Sequence, residues 1–451
     1  MAKMSLLTSL RDRLRELRAA NGANVTVTFA LATIPMVGFV GAAVDYSHAN
    51  AVKAAMQMAA DSTALMLSKN AASLTSGDFQ TKANDYFKAL FTRTDASGLV
   101  INATYTTTDG SQVVVNASST VKTNFMGLMG FSSLKVAVDS QVKWGNTKLR
   151  VALVLDTTGS MAADGKITAL KTATKSLLDQ LKAAAATNGD VYVSIIPFSR
   201  DVNVGKSNYT ATWIDWTDWD NNNGNCSKKP WWGSYDTKSQ CTAAGGNWST
   251  DNHNTWNGCV TDRGDSAAPN ANNYDTKVTA PTTTIKATLF PADQYGSCSP
   301  AVMSLNYDWA AMKNLVDSFY PSGNTNQGIG LAHGWQSLVG GGPYPAPPAE
   351  DPNYKYSKVI ILMSDGLNTA NRWYNNASQI DARQKMTCDN AKAAGITIYT
   401  IHVNTDADPL STLLQSCASS SDKFWMLTSA SQLVGTFQQI GTALSNLRIA
   451  Q

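Results

Sequence analysis

The chain has 451 residues, 43% of them apolar, which is enough for two or three domains and a sizeable core. Its formal charge is +3, and no basic stripe or arginine-and-aromatic groove lies beyond the first residues, which argues against a nucleic-acid partner. The six cysteines, Cys226, Cys241, Cys259, Cys298, Cys388 and Cys417, include no C-x-x-C pair, so zinc spacing is missing and disulfides formed in an oxidising compartment are expected.

Residues 1–24 carry Lys3, Arg11, Arg13, Arg15 and Arg18 against Asp12 and Glu16, with Leu10, Leu14 and Leu17 on one helical side. This reads as a cytoplasmic basic tail that can lie on a membrane surface. Residues 25–44, VTVTFALATIPMVGFVGAAV, contain no charge. At a helical rise of 1.5 Å they span about 30 Å, the thickness of the hydrocarbon layer, and the internal Pro35 is tolerable there. Both the apolar run and its basic lead are longer than those of a signal peptide, so an uncleaved anchor is expected. The basic flank puts the N-terminus in the cytoplasm and the bulk of the chain in the periplasm or beyond, on the side where disulfides form.

Residues 45–70 are rich in Ala and Met and free of Gly and Pro, which predicts that the helix continues past the membrane. From 71 to 147 the pattern turns to short β-rich runs: LVINATYTT, an Asp109-Gly110 hairpin turn, QVVVNASSTV and LKVAVDSQVKW. This predicts a small β-rich α+β domain set between the anchor and a C-terminal head over 148–451.

The head opens with LRVALVLDTTGSM, residues 149–161, an apolar run that reads as a strand buried on both faces and ending in an acid. Asp156, Thr158 and Ser160 follow at alternate positions, so their oxygens can converge on one side of an extended loop. Oxygen ligands suit a hard divalent cation, Mg²⁺ first, with Mn²⁺ or Ca²⁺ as alternatives. A second buried-strand pattern, VIILMSD, ends at Asp365. ITALKTATKSLLDQLKAAA is an amphipathic helix through Ile167, Leu170, Leu177, Leu178 and Leu181, and VYVSIIPFS is the next strand. Further helices are expected near 308–319, 327–338, 379–394, 410–414 and 431–447, with strands at 358–363 and at ITIYTIHV. The alternation predicts an α/β fold with a doubly wound parallel sheet, whose ligands sit at the carboxyl ends of the strands.

Residues 203–300 interrupt this alternation with Trp213, Trp216, Trp219, Trp231, Trp232, Trp248 and Trp256 and four of the cysteines. So many aromatics predict an ordered, disulfide-stapled insert, whose tryptophans form either its own core, the favoured reading, or an exposed rim for sugars or proteins. Cys388 and Cys417 are expected to pair with each other, and the four insert cysteines allow three connectivities. The run DWDNNNGN is a poor calcium loop, its glycine one place late and Lys229 where the closing glutamate belongs.

D-x-T-x-S resembles the metal-ion-dependent adhesion site of von Willebrand factor type A domains, usually D-x-S-x-S. The resemblance implies two further ligands, a second-loop threonine, here Thr325 in GNTNQGIGLAHGW, and a third-loop aspartate, here Asp365. The N-terminal A-V-D-Y and Q-M-A-A-D-S-T-A-L runs, residues 43–46 and 57–65, resemble the TadE/TadG-like group of Tad (Flp) pilus assembly proteins. After Gly22 the chain reads ANVTV, without the glutamate that prepilin processing needs, which favours a membrane-held accessory subunit over a polymerised pilin.

Together these imply an inner-membrane, single-pass pilus assembly or adhesion protein that uses a divalent metal to bind other pilus assembly or pilin subunits, or an acidic surface ligand. The alternative is a structural anchor of the pilus machinery with a degenerate metal site. No G-x-S-x-G or H-E-x-x-H occurs and His48, His253, His333 and His402 are scattered, so no catalytic residue is assigned and a metal-dependent hydrolase ranks far below both.

Overall fold

The computed structural model describes residues 23–71, 74–106, 111–144, 147–231, 233–264, 273–351 and 354–449. The basic stretch before residue 23, the Asp109-Gly110 turn and Trp232 lie outside the described residues. The chain divides into two compact units, residues 1–144 and 145–451.

The N-terminal unit is built on one 46-residue helix, α1 (Ala23–Ser68), which carries Pro35 inside it. A second helix, α2 (Ser76–Leu90), is capped by the Thr75 side chain, and an antiparallel sheet follows of β1 (Ala96–Thr106), β2 (Ser111–Lys122) and β3 (Ser133–Trp144), in that order. Residues Ala49, Val52, Met56, Ala59, Ala60, Ala64 and Leu67 recur at three- and four-residue steps along α1 and are buried with Phe79, Phe87, Val113, Val115 and Val138. The alanines of Q-M-A-A-D-S-T-A-L are thus the small residues that let the helix lie close on the sheet. Residues 25–44 of α1 are different: Phe29, Leu31, Ile34, Met36, Phe39 and Val40 are all exposed.

Asp45, at the junction of the two halves, is buried and accepts backbone N–H bonds from Asn124, Phe125 and Met126 at 3.0, 2.8 and 2.7 Å. The acid of A-V-D-Y therefore pins the β2–β3 loop to the helix.

The C-terminal unit centres on a six-stranded sheet of β4 (Thr147–Asp156), β5 (Val191–Phe198), β12 (Met303–Asn306), β13 (Lys355–Ser364), β14 (Thr397–Val403) and β15 (Phe424–Leu427), in the order β12-β5-β4-β13-β14-β15. Five strands are parallel, but β12 pairs antiparallel with β5, so the expected wholly parallel sheet carries one antiparallel edge. Four-residue edge strands such as β12 and β15 are too short for a periodic signal, and neither was expected from the sequence.

On β4, Leu149, Val151, Leu153 and Leu155 face a core shared with α3 (Lys166–Ala184), α6 (Trp309–Asp317) and α10 (Gln432–Ile449). The alternate Ala152 and Val154 face a second core shared with α7 (Gln327–Val339), α8 (Ala377–Ala393) and α9 (Thr412–Cys417). The Cys388–Cys417 disulfide joins α8 to α9.

The insert after β5 is folded. It holds β6 (Val202–Asn203), β7 (Ile214–Asp215), α4 (Thr217–Asn222), β8 (Gly224–Cys226), α5 (Lys238–Ala243), β9 (Trp248–Thr250), β10 (Cys259–Val260) and β11 (Phe290–Asp293), with a small sheet ordered β6-β10-β11-β7. Its disulfides are Cys226–Cys241 and Cys259–Cys298, which selects one of the three connectivities. Trp219 and Trp256 are buried, and the Trp216 ring stacks on His253 at 3.8 Å. The tryptophans thus mainly build a core; Trp231 is 90% exposed. DWDNNNGN is largely α4, with Asp218 paired to Arg372 and Asp220 to His253.

Helix α7 approaches the sheet through its glycines: a Cβ on Gly334 would lie 2.4 Å from Val154 Cγ2, and one on Gly330 2.7 Å from the Phe198 ring. Val154 is β-branched on a central strand and has little room to turn away. Gly334→Ala is expected to destabilise the C-terminal unit by about 1–3 kcal/mol despite alanine's better helix propensity, measured by denaturant unfolding. A neutral or stabilising result would show that α7 packs less closely than described.

Candidate metal centre

Asp156 ends β4 and Asp365 follows β13, on adjacent parallel strands, so both acids emerge at the same carboxyl edge. The turn after β4 bends into a short 3₁₀ helix, Gly159–Ala162, and brings its hydroxyls back over the edge. Thr158 donates from both its backbone N (2.8 Å) and its hydroxyl (2.6 Å) to Asp156 Oδ1, and Ser364 Oγ bonds Asp156 Oδ2 at 2.5 Å. Thr158 Oγ1 lies 3.1 Å from Ser160 Oγ, which donates to Asp365 Oδ1 at 2.7 Å. Four of the five expected ligands thus form one connected cluster.

The fifth, Thr325, sits beside it on the loop before α7. That loop is stitched to the first by Gly159 N to Gly323 O (2.9 Å) and Ser322 N to Thr157 O (2.8 Å). Thr325 N donates to Thr369 Oγ1 of the third loop at 2.8 Å, but among the described residues no hydrogen bond joins the Thr325 hydroxyl to the other four.

Sequence reasoning missed Lys166. Its side chain is fully buried, and its Nζ lies 2.9 Å from both Asp365 Oδ2 and Asp406 Oδ2. Burial acts to lower the ammonium's pKa, but the bonds and charges of Asp365 and Asp406 outweigh it and the pKa is raised. One signal was available: a lysine at the first position of a helix opposes the helix dipole unless carboxylates meet it there. Ser364 and Asp406 gave no such signal. Burial, then the nearby Asp365 carboxylate, pushes Asp156 up to about 7, against hydrogen bonds from Ser364 and Thr158.

The insert also reaches this edge. Both carboxylate oxygens of buried Asp262 accept from Asn326 Nδ2, at 3.2 and 3.0 Å, and Asp262 also accepts from Arg372 N at 3.2 Å. One insert residue therefore holds the second and third loops together.

A hard cation fits the donor set. An octahedral Mg²⁺ site with bonds of 2.0–2.1 Å has adjacent oxygens about 2.9 Å apart. The 3.1 and 2.7 Å separations along Thr158, Ser160 and Asp365 match such edges. No group of three or more His, Cys, Asp or Glu side chains able to hold a metal occurs among the described residues, so an ion here would depend on the hydroxyls.

Comparison with known proteins adds the N-terminal half of the picture. The family described as "Putative Flp pilus-assembly TadE/G-like" matches residues 23–68, the whole of α1. Residues 23–68 are a TadE/G-like segment. That segment also contains the one stretch among the described residues long and apolar enough to cross a membrane.

The C-terminal unit, with its β12-β5-β4-β13-β14-β15 order, helices on both faces and three loops at one edge, has the doubly wound α/β architecture that the resemblance of D-x-T-x-S to von Willebrand factor type A domains implies. No curated protein matches the chain. Similar solved structures include the pilus adhesin SpaC from Lactobacillus rhamnosus GG, 14% identical over 78% of this chain and 34% of that one, with a TM-score of 0.37. Another is the von Willebrand domain of the type V pili tip protein Mfa5 from Porphyromonas gingivalis, 11% identical over 67% and 97%, TM-score 0.37. A third is the manganese-loaded TRAP protein of Plasmodium vivax, 11% identical over 72% and 77%, TM-score 0.29. The chain spans about a third of the length of SpaC.

The two histidines of the sheet region are buried. His402 lies near the end of β14 in register with Ser364, and among the described residues neither ring nitrogen has a hydrogen-bond partner; burial lowers its pKa, with Asp408 and Asp365 acting the other way. His333 lies on α7, 2.9 Å from the Tyr344 hydroxyl, and burial, helped by Arg263, lowers its pKa to about 3. A histidine depressed in the folded state binds protons preferentially when unfolded, so its contribution is intact above about pH 6.5 and is lost as pH falls toward 3. His333→Gln is expected to flatten that part of the stability-against-pH curve; an unchanged acid limb would contradict the neutral, buried assignment.

Proposed function

We propose that this protein is a membrane-anchored assembly or adhesion subunit of a Tad (Flp) type pilus, and that it grips a partner through a divalent cation at the Asp156–Asp365 edge. The observation that carries the reading is the cluster of Thr158, Ser160 and Asp365 oxygens at octahedral-edge spacings. Ser160 and Thr158 would hold the ion, with Asp156 and Asp365 supplying charge directly or through water, and Thr325 joining as its loop shifts. Two carboxylates and neutral hydroxyls leave a divalent ion able to accept one more anionic ligand, which suits an Asp or Glu of another pilus subunit or of a surface ligand. The role proposed is adhesion; among the described residues neither His333 nor His402 is hydrogen-bonded to the cluster.

The topology proposed puts the N-terminus in the cytoplasm and the chain after residue 45 outside, as the basic flank and the three disulfides favour.

Lys166 supports a second reading. Its ammonium already neutralises Asp365, so it can act as a resident cation in a metal-free anchoring subunit. The two readings separate by experiment on the C-terminal unit, residues 145–451. Under the metal reading Mg²⁺ or Mn²⁺ raises its thermal midpoint, and Asp156→Ala and Asp365→Ala abolish the rise; at 100 times Kd the gain is about 2.7 kcal/mol. Under the resident-cation reading the wild type ignores metal while Lys166→Met, which breaks a buried pair at a cost of about 3–5 kcal/mol, regains stability on adding it. Binding of pilus subunits that survives EDTA unchanged would count against the metal reading.

A further inference from the structure

The β2–β3 loop, residues 123–132, is an exposed apolar turn of the N-terminal unit. Phe125, Leu128, Met129 and Phe131 are 42, 88, 51 and 61% exposed, and no charge occurs between Lys122 and Lys135. An exposed patch of this kind marks an interaction surface.

Its position says which one. The loop lies along α1 below Asp45, on the side of the uncharged residues 25–44. A Cβ on Gly41 would meet the Phe125 side chain at 2.4 Å, and one on Gly38 would lie 3.4 Å from Met129 Sδ. Phe125, Leu128 and Met129 share a groove with Phe29, Thr33 and Val37 of α1. Gly41 and Gly38 lie four and seven residues before Asp45, so the loop overlaps the span by about 6–10 Å at the helical rise. If residues 25–44 are in a bilayer, the tip of the loop is there too.

The loop's backbone is equipped for that. Polar groups in lipid need internal partners. Asn124, Phe125 and Met126 N–H groups go to Asp45, and those of Thr123, Leu128, Gly130 and Phe131 go to Ser132 O, Phe125 O, Gly127 O and Met126 O. The Thr123 hydroxyl also donates to Phe131 O.

We propose that residues 124–131 insert into the leaflet next to Asp45 as a second membrane contact, with Leu128 and Phe131 facing lipid. The Asp45 carboxylate then fixes the angle between α1 and the sheet at the membrane surface. The occupant is lipid, and not a second protein, because the patch is continuous with the lipid-facing side of the anchor. This rests on α1 spanning the membrane.

The test uses the full chain in vesicles of phosphatidylcholine and phosphatidylglycerol. Single cysteines replacing Leu128, Phe131, Val37 or Leu65 carry a polarity-sensitive fluorophore, the native cysteines being paired. Doxyl-labelled lipid should quench the Leu128 and Phe131 probes as strongly as the Val37 probe, while aqueous iodide reaches only Leu65. Quenching at Val37 with iodide-accessible probes at Leu128 and Phe131 would overturn the proposal and leave the anchor intact. Probes at 128 and 131 shielded from both quenchers would mean that protein covers the loop, and would also overturn it. An unquenched Val37 probe would remove the anchor reading itself, and the proposal with it.

Discussion

The C-terminal unit depends on holding two carboxylates and one ammonium out of water at the edge of a sheet. Asp156, Asp365 and Lys166 are all essentially buried, and each such charge costs several kcal/mol unless its neighbours are fixed. The line Ser364–Asp156–Thr158–Ser160–Asp365–Lys166–Asp406 does the fixing, every link a hydrogen bond or ion pair of 2.5–3.1 Å. Parallel pairing of β4 with β13 supplies the spacing, since it brings both acids out at one edge without depending on loop length.

From that line the other features follow. The glycines of α7 let it sit against Val154 and so carry the Thr325 loop close to the first loop. Asp262 couples the insert to the second and third loops, which gives the Trp- and Cys-rich region a structural reason to be ordered: it braces the edge where Asp156 and Asp365 emerge. In the N-terminal unit another buried carboxylate plays an equivalent part, with Asp45 gathering three backbone donors and tying a β-turn to the helix.

Much of this was legible in the sequence, and the reasons are local. Apolar runs ending in Asp156 and Asp365 are buried parallel strands by composition alone, and the alternate oxygens of D-x-T-x-S announce convergence. The Ala- and Met-rich composition of residues 45–70, free of Gly and Pro, shows that α1 runs on past the apolar span. What was not legible depends on distant partners. Lys166 and Asp406 are 240 residues apart in sequence, and an isolated lysine after D-G looks like a solvated helix start. The short strands β12 and β15 have no period to detect. The roles of Asp45 and Asp262 appear only when their backbone and amide donors are in place, and the insert's disulfide connectivity is a choice that spacing does not make.

The most direct measurement is the location of a bound ion by anomalous scattering from crystals of the C-terminal unit grown with Mn²⁺. The account predicts a peak bonded to Ser160 Oγ and Thr158 Oγ1, within direct or water-bridged reach of Asp156 and Asp365, with Lys166 still paired to Asp365 Oδ2. An edge that stays free of manganese while Lys166 keeps both carboxylates would contradict it and leave the ammonium as the resident cation of the site.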